Sequence, residues 1–296
     1  TQPLFYSFYT HPYLSIAPIF LLIYLYTYVF KFFRNGLYID SGLKPKVETS
    51  DVENFEWADR LGDMAVFIKN DLKLIKRSKR ARGTVFAGIF ILFYGFIFYW
   101  QRDIWPEWML FFSYLFASGG FLFMFGSFVP SWDSQYYNLM MCQNIPYINY
   151  IKSKWSLVVI ATIISTFFAC IIYSFIGMQA VFAVLAGGLY NIGINGYLTL
   201  WAGAYTKTPI DLNSAANAFG DVKAINAKTL LISIPQMILP IVLFAFCNSY
   251  YGWLTGCAAV ASFGILGILL KDLVFKLILQ AYKSEKYSTI KAYNKN

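Results

Sequence analysis

The chain has 296 residues, of which 58% are hydrophobic and only 13% are charged. Soluble domains usually carry about 25% charged residues, so this composition excludes an ordinary soluble domain and predicts an all-α, polytopic membrane protein. The net charge of +9 does not call for a nucleic-acid partner, because cytoplasmic segments of membrane proteins are enriched in Lys and Arg.

Seven stretches are long and apolar enough to cross a bilayer, which takes roughly 20 residues per helix. The predicted spans are residues 12–30, 84–102, 107–129, 155–176, 178–203, 229–247 and 252–272. If the first span ends in the cytoplasm, the cytoplasmic segments hold all of the Lys and Arg residues except Arg102. This bias predicts an external N-terminus and a cytoplasmic C-terminus.

The spans and the polar segments between them divide the chain into four parts. These are a first transmembrane helix (1–34), a cytoplasmic linker (35–57), a six-helix membrane core (58–275) and a cytoplasmic tail (276–296). The residues ahead of the first span look like the end of a loop, from which we expect that the full protein has further residues before Thr1.

Residues 58–83 are predicted to form a basic amphipathic helix on the inner membrane surface. Its apolar residues recur at three- and four-residue steps and make one face: Leu61, Met64, Ile68, Leu72 and Ile75. The basic residues expected to contact membrane lipids are Lys69, Lys73, Lys76, Arg77, Lys79, Arg80 and Arg82. A simple stop-transfer cluster is the alternative, but it would not require an ordered apolar face.

A polar and aromatic segment, residues 131–154, separates two predicted spans and is named the elbow here. Ser131 is suited to cap a short helix, and Pro146 ends that helix and can begin a second one. The pattern predicts an apolar docking surface that faces the cytoplasm. The residues predicted to bind a partner are Trp132, Asp133, Tyr136, Leu139, Met140 and Pro146.

Two lysines near the end of the elbow, Lys152 and Lys154, are predicted to anchor it at the membrane surface. The inner loop 206–228 lies on the same predicted side. It is rich in small and amide residues and is a second candidate docking surface.

The spans contain amides but no ionisable residue away from their ends. Asn191 and Asn195 lie four residues apart among glycines, and Gln236 lies between Pro235 and Pro240. These amides either bond across helix contacts or line a transport path, and the sequence leaves both interpretations open.

The motifs of common enzymes and metal sites are missing from the sequence. Gly188 and Gly193 have the spacing of a phosphate-binding loop, but Ile194 follows where that motif requires lysine. The four cysteines show no metal-ligand spacing. We therefore expect no catalytic residues, no metal and no cofactor in this chain.

Two segments resemble the ABC-2 type permease family of bacterial transporters. LKLIKRSKRAR (72–82), followed at once by a span, resembles the connecting helix of that family. WDSQYYNLMMCQNIPYINYIKSKW (132–155) resembles its coupling helix, which docks on an ATPase subunit. The whole chain, including TPIDLNSAANAFGDVKAINAKTLLISIPQMILP (208–240), is similar to a group of ABC-2-like bacterial membrane proteins that are longer at the N-terminus.

The resemblance implies a multi-pass permease subunit in the bacterial inner membrane, with ATP bound and hydrolysed by a separate ABC ATPase subunit. It also implies a second permease subunit, identical or different. One feature departs from the family: residues 248–253 are too short for the re-entrant helices usual between the last two core spans. The alternative function is a non-transporting membrane scaffold or assembly subunit with a permease-like fold.

Overall fold

The computed structural model describes residues 16–36, 55–143, 145–212 and 227–294. The chain divides into two units, residues 1–54 and residues 55–296. The described part of the first unit is one helix, α1, Ile16–Gly36, which contains most of the first predicted span. Most of the predicted linker and of the inner loop 206–228 lies outside the described residues.

The described part of the second unit is built from helices joined by short turns. A 3-10 segment, Glu56–Met64, leads into the first of them. In chain order the helices are α2 Ala65–Arg77, α3 Lys79–Ile91, α4 Tyr94–Tyr99, α5 Glu107–Ser118, α6 Gly120–Met124, α7 Tyr137–Cys142, α8 Tyr147–Ser174, α9 Met178–Tyr190, α10 Gly196–Gly203, α11 Ala227–Tyr251, α12 Trp253–Leu269 and α13 Lys271–Tyr293.

Between four and six spans fit the described residues by length and composition. Four are long apolar helical runs: Lys79–Tyr99, Tyr147–Ser174, Met178–Gly203 and Lys228–Tyr251. Two more are bent pairs, Glu107–Ser118 with Gly120–Phe128 at 76° and Trp253–Leu269 with Lys271–Tyr293 at 69°. The class of an all-helical protein with several candidate spans is therefore confirmed, whereas the count of seven and the orientation stay predictions.

The predicted amphipathic helix 58–83 is not continuous, which corrects the sequence interpretation. Ser78 adopts an extended backbone conformation with ψ 124°, and its Oγ accepts a hydrogen bond from the amide of Ala81 at 3.2 Å. Ser78 therefore caps α3, because its side chain satisfies a backbone N–H that has no partner within the helix. The predicted apolar face is confirmed in part: Ile68 is buried and Leu72 and Ile75 are half-buried on α2, which packs against α8, whereas Leu61 and Met64 lie in the 3-10 segment before it.

A π-helical turn, Asn191–Asn195, joins α9 to α10 near the centre of Met178–Gly203, the most buried of the four long candidate spans. At this turn the backbone of Gly193 crosses that of α12 so closely that a Cβ atom on Gly193 would lie 1.8 Å from the carbonyl oxygen of Gly264. Small residues allow such crossings in membrane helices. The glycines of these two segments are therefore required by packing.

A single residue, Gly252, connects α11 to α12. Its φ of 86° lies in the left-handed region that glycine adopts without strain. Pro235 and Pro240 both lie inside the 25-residue helix α11. The connection has no room for re-entrant helices, as the sequence predicts.

The last helix, α13, turns away from α12 and packs beside α8 and α10. Its buried residues join those of the elbow in one apolar cluster, which includes Trp132, Tyr137, Tyr150, Phe275 and Tyr282. The predicted boundary at residue 275 falls within this helix, so most of the predicted tail (276–296) is part of the packed unit. This cluster surrounds the site described next.

Candidate functional site

Trp132 lies inside the protein rather than on the predicted docking surface. Its side chain is 1% exposed, its ring stacks on Phe125 with centroids 4.9 Å apart, and its indole N–H donates to the carbonyl of Phe125 at 2.9 Å. A buried indole needs such an acceptor. Trp132 therefore fixes the start of the elbow against the end of the preceding span.

The other predicted docking residues divide between the interior and the surface. Asp133 and Met140 are buried, Tyr136 is half-buried, Pro146 is exposed and Leu139 is 65% exposed. The prediction of one continuous apolar surface is therefore wrong for Trp132, Asp133 and Met140, because these side chains pack inward. Leu139 and Pro146 are the two of the six that a partner could reach fully.

Lys154 does not anchor the elbow at the membrane surface, which corrects a second prediction. It lies in the second turn of α8 and is only 2% exposed. Its ammonium forms ion pairs with two buried carboxylates, Oδ1 of Asp71 and, at 2.8 Å, Oδ2 of Asp133. Burying an ammonium group is costly unless opposite charges compensate it, and two carboxylates from two other segments do so here. We call Asp71, Asp133 and Lys154 the ion cluster.

The two carboxylates of the ion cluster differ in the hydrogen bonds that they accept. Both oxygens of Asp133 accept: Oδ2 from the hydroxyl of Tyr150 at 2.7 Å and from Lys154, and Oδ1 from the hydroxyl of Tyr136. Asp71 accepts from Lys154 at Oδ1, but its buried Oδ2 has no partner among the described residues. Asp133 is therefore fully satisfied as a carboxylate, whereas Asp71 is not.

Burial is the main cause of the electrostatic shifts at this site. It raises the pKa of Asp71 from its ordinary value to about 6, against the opposing attraction of Lys154 and with a further increase from the charge of Asp133. Burial and then the negative charge of Asp133 also raise the pKa of Tyr136 well above its usual range. Desolvation disfavours the charged form of each acid, so Tyr136 stays neutral at physiological pH.

The ion cluster joins three segments that are far apart in sequence. Asp71 comes from α2, Asp133 from the turn Ser131–Asp133 and Lys154 from α8. The ring of Phe67 on α2 also contacts that of Tyr150 edge-on, with centroids 5.7 Å apart. These contacts make α2, the elbow and the beginning of α8 one mechanical unit.

Two cavities lie beside this unit at the surface. The elbow groove, about 660 Å³, lies between α2 and the elbow and is lined by residues that include Val66, Phe67, Tyr136, Leu139, Gln143 and Pro146. The second cavity, about 450 Å³, has Lys73, Arg77, Gln135 and Tyr136 in its wall. Tyr136 borders both cavities and donates to Asp133, so this side chain lies between Asp133 and the surface.

The basic residues predicted at the membrane surface are mostly accessible. Four are exposed and two half-buried: Lys76, Arg77, Lys79 and Arg82, then Lys69 and Lys73. Lys69 pairs with Asp59 at 2.6 Å. Arg80 is the exception: it is 7% exposed and its guanidinium lies 3.5 Å from the carbonyl oxygen of Asp211. The predicted lipid contact of Arg80 is therefore wrong, because this side chain packs toward the chain instead.

The three predicted lining amides are buried, and two of them, Asn191 and Gln236, bond across helix contacts. Asn191 donates to the carbonyl of Leu115 and to Oγ of Ser118, both at 2.9 Å. Asn195 donates to Oδ1 of Asn191 at 2.7 Å, and Gln236 donates to Oγ1 of Thr199 at 2.8 Å. These contacts fit the packing interpretation, and a role in lining a path stays a prediction.

Asp71 and Tyr150 were not predicted as site residues. A signal for Asp71 exists in the sequence, because it lies three residues after Ile68 on the apolar face of α2. A carboxylate on an apolar stripe requires a buried cation nearby. In the described ranges, no group of three or more His, Cys, Asp or Glu side chains could hold a metal ion.

Comparisons with known proteins give one match. A family model described as a family of unknown function (DUF5687) matches residues 1–296. No curated protein and no solved structure matches the chain. The likeness to ABC-2 permeases therefore has no support beyond the sequence segments quoted above.

Proposed function

The chain belongs to the DUF5687 family, and we propose that it is the membrane-spanning permease subunit of an ATP-driven, ABC-type transporter. In this proposal a separate cytoplasmic ATPase subunit binds the elbow, and the chain itself catalyses no reaction. The observation that carries the proposal is the ion cluster, because it joins the proposed docking segment to a helix long enough to cross the membrane.

Coupling to an ATPase requires a stiff connection between the docking surface and the spans. A force on the elbow would reach Asp133, pass to Lys154 and so move α8, a helix of 28 residues. Asp71 would carry the same movement to α2 and, across the break at Ser78, to α3. The two segments that resemble the connecting helix and the coupling helix of ABC-2 permeases would thus be linked through one lysine.

The accessible part of the elbow would form the docking surface. Leu139 projects beside the elbow groove, which Val66 and Phe67 of α2 line from the other side. An exposed leucine next to an apolar groove is the kind of feature that marks a protein contact. We propose that the ATPase subunit fills this groove, and that two permease subunits, identical or different, assemble in the bacterial inner membrane.

A non-transporting scaffold is the second candidate. The amides of Asn191, Asn195 and Gln236 bond within the helix bundle, which favours a structural role for them over a polar path. The one-residue connection at Gly252 likewise lacks the outer helices usual in ABC-2 exporters. Such a scaffold would bind partners in the membrane without an ATPase.

Replacement of Leu139 by Asp tests the docking proposal. We expect a tagged wild-type chain, purified from the membranes of its host, to bring with it a P-loop ATPase and vanadate-sensitive ATP hydrolysis. Leu139→Asp should reduce that hydrolysis at least tenfold, because a charge at the centre of an apolar contact is costly to bury. Met140 is unsuitable for this test, since it is buried and its replacement would disturb folding.

The matched control is Tyr287→Asp on α13, where the side chain is 77% exposed. It introduces the same charge on an exposed side chain of α13, outside the elbow, and should leave the ATPase bound. The proposal fails if no P-loop ATPase copurifies with the wild-type chain. It also fails if Leu139→Asp retains as much ATP hydrolysis as Tyr287→Asp. The first outcome would favour the scaffold.

A further inference from the structure

We propose that the ion cluster is a proton-binding site and that its proton is held by Asp71. This site does not depend on the proposed transport function. It follows from the number of charges in the cluster, from their burial and from the distribution of hydrogen bonds between the two carboxylates.

The ion cluster has unequal numbers of opposite charges. Two carboxylates face one ammonium, and all three side chains are almost completely buried. With every group ionised the cluster carries one uncompensated negative charge, which is unfavourable away from water. Binding of one proton removes that charge.

The hydrogen bonds identify the oxygen that takes the proton. Asp133 already accepts at both oxygens, from Tyr136, Tyr150 and Lys154. Oδ2 of Asp71 is buried without a donor. A proton is therefore held at least cost on Oδ2 of Asp71, and the raised pKa of this group, about 6, agrees with that assignment.

The other ionisable groups around the site do not replace Asp71 in this role. Those nearest to it are Lys154 and Tyr150 from α8, and Asp133 and Tyr136 from the elbow. Behind Asp133, the hydroxyl groups of three further tyrosines face the cluster from α7 and α13: Tyr137, Tyr282 and Tyr293. Burial raises the pKa of Tyr136 and Tyr137 well above the usual range, so both stay neutral near pH 6.

A proton can reach the cluster from the surface beside Tyr136. This half-buried side chain borders both surface cavities, and Asn70, which precedes Asp71, also lines both. Rotation of the Tyr136 side chain would connect either cavity to the cluster. The site is therefore accessible to protons although its three charged members are buried.

Proton binding would change one of the two ion pairs. A neutral Asp71 attracts Lys154 less strongly, whereas the pair of Lys154 with Asp133 keeps its full charge. Uptake of one proton would also remove the uncompensated charge, so the packing of α2 against α8 is favoured in the protonated state, and the elbow stays attached to α8. The ligand class is the proton, at one site per chain and with half-occupancy near pH 6.

Infrared difference spectroscopy of the purified protein in lipid vesicles, comparing pH 4.5 with pH 8, tests the assignment. We expect the C=O band of a protonated carboxyl group in the wild type, with a midpoint near pH 6. Asp71→Asn should abolish this band. Asp133→Asn also removes one carboxylate, but it should keep the band and shift its midpoint to lower pH, because the charge repelling that of Asp71 is gone.

The pair of variants makes the test decisive, since both change the charge of the cluster equally. The proposal is overturned if no such band titrates in the wild type, if Asp71→Asn retains it, or if Asp133→Asn is the variant that loses it. The thermal midpoint gives a second readout. An acid with a raised pKa in the folded state stabilises at low pH, and this contribution is lost as pH rises from about 4 to about 6, so the wild type should lose stability relative to Asp71→Asn across that range.

Discussion

At the scale of single residues, Lys154 is the one cation of the ion cluster. It is the common partner of two carboxylates from different segments, and its stem passes the ring of Tyr150 with the ammonium 5.3 Å from the ring centroid. A buried ion pair contributes little net stability compared with apolar packing, but removal of one partner leaves an uncompensated buried charge. Removal of the lysine would therefore cost more stability than its ion pairs contribute, because both carboxylates would stay buried without a cation.

Replacement of Lys154 by Met should destabilise the protein by about 3–5 kcal/mol, because it leaves Asp71 and Asp133 buried without a cation. Lys152→Met is the matched control: its side chain is half-buried two residues away, and we expect a change within about 0.5 kcal/mol. Thermal unfolding of both variants in the same detergent measures the difference. Equal midpoints for the two variants would contradict the role assigned to Lys154.

At the scale of elements, the elbow and α2 show what periodicity can and cannot predict. The apolar spacing of α2 correctly predicts its buried face, since helix geometry alone determines which residues lie together. The break at Ser78 was not predicted. A serine can lie inside a helix or cap the beginning of one, and the apolar spacing is the same in both cases. Trp132 is buried against Phe125, and the cluster that contains Trp132 and Met140 also includes side chains of α8 and α13, which no local pattern contains.

The predicted side of the membrane can be tested on the elbow itself. Cys142 is exposed at the end of α7, whereas Cys257 is buried. With the other three cysteines replaced by Ala, a membrane-impermeant maleimide should label Cys142 in inside-out vesicles and at least tenfold less in right-side-out vesicles. Asp103→Cys, placed in the predicted outer loop on the same background without Cys142, should give the reverse pattern.

Labelling of Cys142 from the outside would contradict the predicted orientation, and with it the access of a cytoplasmic ATPase to the elbow. Labelling of both sites from the same side would contradict the predicted span between them. A folding defect is recognised with a variant that keeps Cys257 as its one cysteine, because this buried side chain should react only in an unfolded chain.

At the scale of the whole molecule, composition and charge predicted an all-helical protein with several spans, and the described residues form helices with four to six candidate spans. The number of spans does not follow from the sequence. Two candidates are helix pairs bent by 69° and 76°, and hydropathy does not show such a bend. The ion cluster could be predicted only in part. Asp71 is anomalous on an apolar face, but its pairing with Lys154 joins residues 83 positions apart, and no spacing rule connects them.

The central claim, that the elbow receives an ATPase subunit, is tested most directly by site-specific photo-crosslinking in native membranes. A photoreactive amino acid at position 139 should crosslink to a P-loop ATPase, identified by mass spectrometry of the adduct. The same amino acid at position 287, which is also exposed, should not. If position 139 gives no ATPase adduct, or if both positions give it equally, the coupling role of the elbow is contradicted.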